Sequence, residues 1–133
     1  MVTKVSLMQG IELEIKLEIG WVKMNIIYML FAHYVLDYPL QGEFLAQTKG
    51  KYMYSLLAHS LIYGLGIYML LCFLYGPIRP SIAIFLVFSH IIIDYVKATA
   101  KNKDKALTTY LYIDQALHIS INLLLIIILS WRG

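Results

Sequence analysis

Apolar residues are concentrated in four stretches of the chain, separated by shorter polar segments. The stretches cover residues 24–38, 54–75, 80–97 and 107–131. At about 1.5 Å per helical residue, the last three are long enough to cross roughly 30 Å of hydrocarbon. The first stops before Pro39 and is short unless it tilts or begins near Trp21. The pattern predicts an all-α integral membrane protein that folds as an antiparallel four-helix transmembrane bundle.

The N-terminal segment has a different pattern. Apolar and charged residues alternate strictly from Ile11 to Ile19, which is typical of a β-strand. Residues 1–23 are therefore predicted to be a separate extension, either a short β-hairpin or disordered, because an isolated hairpin is marginally stable in water. The membrane domain is predicted to cover residues 24–133. The extension is expected to take no part in chemistry.

Composition agrees with a membrane protein. Hydrophobic residues make up 60% of the chain and charged residues 14%, whereas soluble domains average about half and a quarter. The lipid bilayer is thus the predicted partner, and no nucleic-acid partner is expected. The single cysteine, Cys72, excludes an intrachain disulfide. Homo-oligomerisation is left open.

Histidine and aspartate residues interrupt the apolar stretches in a regular way. Three histidines have an aspartate four residues away, a spacing that puts both side chains on one helix face. The pairs are His33 with Asp37, His90 with Asp94, and His118 with Asp114, while His59 stands alone. If the four spans alternate in direction, all seven groups come to the same end of the bundle. Ionisable groups are costly in a membrane, so a cluster of them indicates function.

Lysines give the expected orientation of that end. The adjoining loops carry Lys49, Lys51, Lys97, Lys101, Lys103 and Lys105. The opposite loop carries Arg79 and the C-terminus Arg132. By the positive-inside rule, the His/Asp end faces the cytoplasm of a multi-pass inner-membrane protein, with both termini outside.

Imidazole and carboxylate groups together suit zinc, manganese or iron. The predicted ligands of one or two such divalent ions are His33, Asp37, His59, His90, Asp94, Asp114 and His118. The alternative is that these groups only hold helices together, at about 0.6 kcal/mol per interhelical hydrogen bond. That small gain does not explain three pairs and a fourth histidine on one face, so metal or proton chemistry is favoured.

Other polar residues near this end have expected roles in a reaction. Asp37, Asp94 and Asp114 are the candidate catalytic carboxylates. Lys49 and Lys97 are expected to bind an anionic substrate such as a phosphoester or a lipid headgroup. Gln41 and Gln115 are expected to orient water or substrate, whereas Tyr63 is interpreted as a packing residue.

These motifs resemble those of a known family. The segments are His33-Tyr-Val-Leu-Asp37-Tyr-Pro-Leu-Gln41, then His59, then His90-Ile-Ile-Ile-Asp94-Tyr-Val-Lys97, then Asp114-Gln115-Ala-Leu-His118. Over about residues 24–130, they resemble the domain of unknown function 3307, a family of small bacterial and phage membrane proteins. That resemblance implies no activity. Ala58-His59-Ser60 is more weakly similar to the end of the His-Arg-x-x-Thr-His-Ser element of inner-membrane metal-dependent hydrolases, and lacks its first part.

Three functions are consistent with these observations. The first is a membrane-embedded, divalent-metal-dependent hydrolase acting on a phosphoester or lipid-like substrate. The second is a small transporter, or an ion or proton conduit, although the far half of each span has few polar groups. The third is a structural or partner-binding module with a polar core. Retention of a transition metal by the purified protein would favour the first.

Overall fold

Five helices make up the described part of the chain, residues 4–99 and 109–131 of this computed structural model. They are α1 (Lys4–Asp37), α2 (Gly42–Thr48), α3 (Met53–Tyr75), α4 (Ser81–Ala98) and α5 (Leu111–Ser130). All except α2 are long and apolar enough to cross a membrane. The prediction of an all-α bundle of four antiparallel spans is confirmed.

The four long helices form a ring. Helix α3 packs between α1 and α4, α5 contacts both α1 and α4, and α2 lies against α3. Their shared interior holds the buried apolar core, which includes Met29, Tyr63, Ile67, Leu71, Leu86, Ile126 and Leu129. Many large apolar side chains, such as Phe31 and Phe73, point outward instead, as expected for helices that meet lipid rather than water.

The prediction of a strand in the N-terminal segment is wrong. Residues from Lys4 onward belong to α1, which continues without a break through position 24 into the bundle. A lone strand leaves its backbone groups unpaired, whereas a helix satisfies them within the segment. An ion pair from Lys16 to Glu12, 2.8 Å long, adds a one-turn contact. In a helix, the alternating apolar side chains are distributed around the whole circumference instead of along one face. Ile11 and Ile19 are both exposed.

The remaining element boundaries agree closely with the sequence, with one addition. Helix α1 ends at Asp37, two residues before Pro39, because the residue preceding a proline disfavours helical geometry. The polar segment that follows forms α2, which the sequence did not predict. The chain enters it through Gly42, whose φ of +64° suits glycine. Lys101, Lys103, Lys105 and Arg132 lie outside the described residues.

Helices α3 and α4 approach each other closely at one glycine. A Cβ atom placed on Gly64 would lie 2.8 Å from the Val87 nitrogen and 2.9 Å from its Cα. No side chain fits there without moving the α4 backbone, so the small residue sets the distance between the two helices. This close contact brings His59 of α3 and His90 of α4 towards each other about one turn away, in the direction of the His/Asp end of the bundle.

Candidate metal centre

The seven histidines and aspartates predicted to cluster do so at one end of the bundle. Each is at most 4% exposed. We call this set the His/Asp cluster: His33 and Asp37 from α1, His59 from α3, His90 and Asp94 from α4, and Asp114 and His118 from α5. The four-residue spacing accounts for the convergence, since each pair projects inward from one helix face.

The centre of the cluster is a close meeting of two imidazoles. The Nε2 atoms of His59 and His90 lie 2.9 Å apart. Asp37 Oδ1 is 3.3 Å from His59 Nε2 and 4.0 Å from His90 Nε2. Asp94 Oδ2 is 3.3 Å and 3.6 Å from the same two nitrogens. Four potential ligand atoms from three helices thus surround one small volume.

His118 is oriented for a second contact. Its Nδ1 donates to the Asp114 carbonyl oxygen at 2.9 Å, so Nε2 carries the free lone pair. That Nε2 atom is buried and makes no hydrogen bond within the described residues. Metal-binding histidines commonly donate the other ring N–H to a backbone carbonyl, and His118 shows this arrangement.

Two lysines compensate part of the carboxylate charge. Lys49 Nζ donates to Asp94 Oδ2, and Lys97 Nζ donates to Asp114 Oδ2, both at 2.7 Å. Both lysines lie beside the cluster as expected, but each is paired with an aspartate. Three aspartates against two lysines leave one negative charge in the cluster, which a proton on the imidazole pair or a cation must balance.

Gln115 links the two sides of the cluster. Its Oε1 accepts a hydrogen bond from His33 Nε2 at 2.8 Å. Its Nε2 donates to Asp37 Oδ2 at 2.8 Å and to Asp114 Oδ2 at 3.0 Å. Gln115 therefore fixes both carboxylates. His33 also contacts the Tyr63 hydroxyl through Nδ1 at 2.8 Å, so both of its ring nitrogens are engaged by protein groups.

Tyr63 is more than a packing residue. Its ring stacks on His90 with centroids 4.0 Å apart, and its hydroxyl accepts from Asn122 Nδ2 at 2.9 Å. Neither Tyr63 nor Asn122 was predicted from the sequence as a member of the polar site. The sequence spacing could have identified both. Tyr63 lies four residues after His59, and Asn122 lies four residues after His118, so each shares a helix face with a cluster histidine.

Gln41 and Tyr38 lie beside the cluster, beyond the end of α1. In the amide orientation that satisfies its neighbours, Gln41 donates to the Asp37 carbonyl at 2.9 Å and accepts from Lys49 at 2.8 Å. It thereby holds the lysine against the cluster. Burial, followed by the negative charge of Asp37, raises the pKa of the Tyr38 phenol. Tyr38 is accordingly neutral at physiological pH and adds no charge.

Comparison with known families gives a match over most of the chain. The family described as Protein of unknown function (DUF3307) matches residues 26–132. The chain belongs to this family. The DUF3307 match includes every member of the His/Asp cluster and begins within α1, near the point where that helix enters the bundle. Comparison with curated proteins gives no match, and neither does comparison with solved structures.

Among the described residues of this DUF3307 domain, two sets of three could hold a metal ion. They are Asp37 with His59 and His90, and His90 with Asp94 and His118. Within each set the ligand atoms lie within 4.8 Å of one another, and all are buried. His90 belongs to both sets. Several buried ligand atoms, including Asp94 Oδ1 and Asp114 Oδ1, have no hydrogen-bond partner within the described residues, which is common where water or an ion completes a site.

Proposed function

We propose that the protein is a membrane-embedded, divalent-metal-dependent hydrolase that acts on a phosphoester or lipid-like substrate. One observation carries the proposal: the Nε2 atoms of His59 and His90 meet 2.9 Å apart beside two buried carboxylates. Zinc, manganese and iron all accept such mixed nitrogen and oxygen ligands.

The distances suit a tetrahedral ion. Metal–ligand bonds of about 2.0–2.1 Å give a tetrahedron with edges of roughly 3.3 Å. The two histidine Nε2 atoms lie 2.9 Å apart. Their distances to the nearest Asp37 and Asp94 oxygens run from 3.3 to 4.0 Å. Three of these groups would hold one ion and leave a fourth position for water, as in catalytic zinc sites.

The same site would supply the chemistry of hydrolysis. A bound divalent ion lowers the pKa of its water and polarises the scissile phosphoryl or acyl group. We assign Asp37 and Asp94 to the ion, and Asp114 to orienting His118 or accepting the proton of the water. Lys49 and Lys97 would exchange their carboxylate partners for the anionic group of the substrate. Gln41 and Gln115 would hold the lysine and the carboxylates in place.

A groove supports access from the bilayer. It lies between α4 and α5, has a volume of about 140 Å³ and is mainly lined by apolar side chains such as Val96, Ile113 and Leu117. Its lining also includes Lys97 and Asp114. An acyl chain would lie against the apolar walls while its headgroup reached the charged end. This arrangement favours an amphiphilic substrate over a fully water-soluble one.

The orientation is part of the proposal. Lys49, Lys51 and Lys97 lie at the cluster end, whereas Arg79 lies in the loop between α3 and α4 at the other end. The positive-inside rule then places the His/Asp cluster at the cytoplasmic face of an inner membrane, with both termini outside.

A metal-free polar core is the second candidate, and the lysine pairs favour it. Because Lys49 and Lys97 already neutralise two aspartates, one shared proton between His59 and His90 would balance the cluster without any ion. A conduit is less well supported. Ile67, Leu71 and Ile126 are completely buried in the half of the bundle beyond the cluster and would obstruct a polar path.

Hydrolysis assays with defined metals test the proposal. The full chain in detergent micelles is stripped with a chelator, reloaded with Zn²⁺, Mn²⁺ or Fe²⁺, and offered bis(p-nitrophenyl) phosphate and short-chain phospholipids. We expect turnover that depends on the metal and falls at least about tenfold in Asp37→Asn. Glu43→Gln, which changes an exposed carboxylate at the same end, should leave the rate unchanged. Absence of metal-dependent turnover with every substrate would contradict the hydrolase assignment.

A further inference from the structure

A second polar site lies at the end of the bundle opposite the His/Asp cluster. There a cavity of about 500 Å³ opens between α1, α3 and α5, within the size range of small-molecule sites. Its polar and aromatic lining residues are Glu18, Trp21, Asn25, Tyr75, Ser130 and Trp131. None of these residues contributes to the proposed hydrolytic site, so ligand binding in this cavity does not depend on that proposal.

Asn25, one of the residues that line the cavity, has an unused hydrogen-bond acceptor. Asn25 is only 5% exposed, and its Nδ2 donates to the Tyr75 hydroxyl at 3.0 Å. The Tyr75 hydroxyl in turn lies 3.1 Å from Ser130 Oγ. These contacts fix the Asn25 amide and leave its Oδ1 atom buried without a partner among the described residues. A buried acceptor of this kind requires a donor from a ligand or from water.

The remaining lining favours a cation. Glu18 and Asn25 are seven residues apart on α1, which is about two turns, so they share one helix face. Glu18 carries the only formal charge among the described residues that line the cavity. Trp21 and Trp131 are both exposed at the rim, and indole rings attract cations through their faces.

We infer that this cavity binds a protonated primary amine. An ammonium N–H would donate to Asn25 Oδ1 while its charge is balanced by Glu18 and the two indoles. A quaternary ammonium has no N–H and would leave the Asn25 acceptor unpaired. Helices α3 and α5 end here, at Tyr75 and Ser130, and exposed tryptophans are typical of the membrane–water interface. An aminophospholipid headgroup is therefore the ligand that the surroundings favour.

Tryptophan fluorescence reads out this cavity directly, because both tryptophans of the chain line it. The full chain in a maltoside detergent is titrated with dihexanoyl phosphatidylethanolamine, dihexanoyl phosphatidylcholine and free ethanolamine. We expect a saturable fluorescence change with the ethanolamine lipid, and at least about tenfold weaker binding of the choline lipid. Free ethanolamine binding as tightly as the lipid would support the ammonium site and identify its ligand as a soluble amine.

Variants separate the two recognition elements. Glu18→Gln should weaken binding of the ethanolamine lipid by about tenfold. Glu14→Gln, one turn away and outside the cavity lining, should leave the binding unchanged. Asn25→Leu should remove the preference for ethanolamine over choline. Glu18 is exposed, so its substitution remains informative even where Asn25→Leu does not fold. Equal binding of the two lipids, or binding that is unchanged by Glu18→Gln, would overturn the inference.

Discussion

His59 and His90 approach each other from neighbouring helices with their Nε2 atoms 2.9 Å apart, and both side chains are fully buried. Two imidazole lone pairs at this distance repel each other unless a proton or a metal ion lies between them. The close contact of α3 and α4 at Gly64 supports this geometry. Under the proposed function, protons and divalent ions would compete for the space between these two nitrogens.

That competition predicts a pH dependence. Metal ions bind only deprotonated imidazole, so the affinity for Zn²⁺ should rise with pH. We expect the Kd, measured by competition with a chromophoric chelator, to be at least about tenfold weaker at pH 6 than at pH 7.5. An affinity that does not change over this range would show that these histidines are not the ligands.

Removing one of the two paired lysines should destabilise the protein, because it leaves a buried aspartate without its counter-charge. Lys49→Met leaves the Asp94 carboxylate, which is 1% exposed, without its cation. Loss of one partner of a buried pair costs about 3 kcal/mol, so the thermal unfolding midpoint in detergent should fall. Lys51→Met, which alters an exposed lysine of the same loop, is the matched control and should change little.

A bound metal ion should restore part of the stability that Lys49→Met loses. If a divalent ion binds beside Asp94, its charge replaces that of Lys49, and saturating Zn²⁺ should raise the unfolding midpoint of Lys49→Met more than that of the wild type. Equal shifts for the two proteins would argue that the ion binds away from Asp94.

The sequence predicts the cluster well because each helix contributes its own regularly spaced pair. His33 and Asp37, or His90 and Asp94, project from one face whatever the details of packing. The pairing of His59 with His90 could not be predicted in this way. It depends on how closely α3 and α4 pack, and hence on the contact between Gly64 and Val87. The spacing of residues along the sequence does not reveal that contact.

The N-terminal helix was missed for a related reason. Alternation from Ile11 to Ile19 indicates a strand only if one face can be buried against a partner. Here Asn25 of α1 already lies level with Tyr75 and Ser130, where α3 and α5 end, so the segment before it continues α1 past those ends. Because no strand lies beside it in the part of the chain that the structure describes, backbone hydrogen bonding favours the helix regardless of the side-chain pattern.

Gly64 should be intolerant of substitution. The added methyl of Gly64→Ala would meet the Val87 backbone at 2.8–2.9 Å, and overpacking of this kind costs about 1–3 kcal/mol. The unfolding midpoint should therefore fall. Gly20→Ala is the matched control, since a Cβ there has no neighbour within 4 Å and alanine favours helix. A midpoint for Gly64→Ala equal to that of Gly20→Ala would contradict the packing of α3 on α4.

The proposed orientation predicts which loops react with reagents on each side. Single cysteines at Lys51→Cys and Arg79→Cys, each in a Cys72→Ser background, lie at opposite ends of the bundle. With a membrane-impermeant maleimide, Lys51→Cys should be labelled in inside-out vesicles and Arg79→Cys in intact spheroplasts. The reverse pattern would place the His/Asp cluster outside.

The metal content of the purified protein tests the central claim most directly. The full chain is prepared without chelator and dialysed against buffer that contains zinc, manganese and iron in trace amounts. Elemental analysis should then find about one of these ions per chain. His90→Gln should lose it, because His90 belongs to both candidate metal sets. His33→Gln should retain it, because both nitrogens of His33 are engaged by Tyr63 and Gln115. A folded wild-type protein that binds no divalent metal, or a His90→Gln variant that binds it as well as the wild type, would contradict the proposed metal centre.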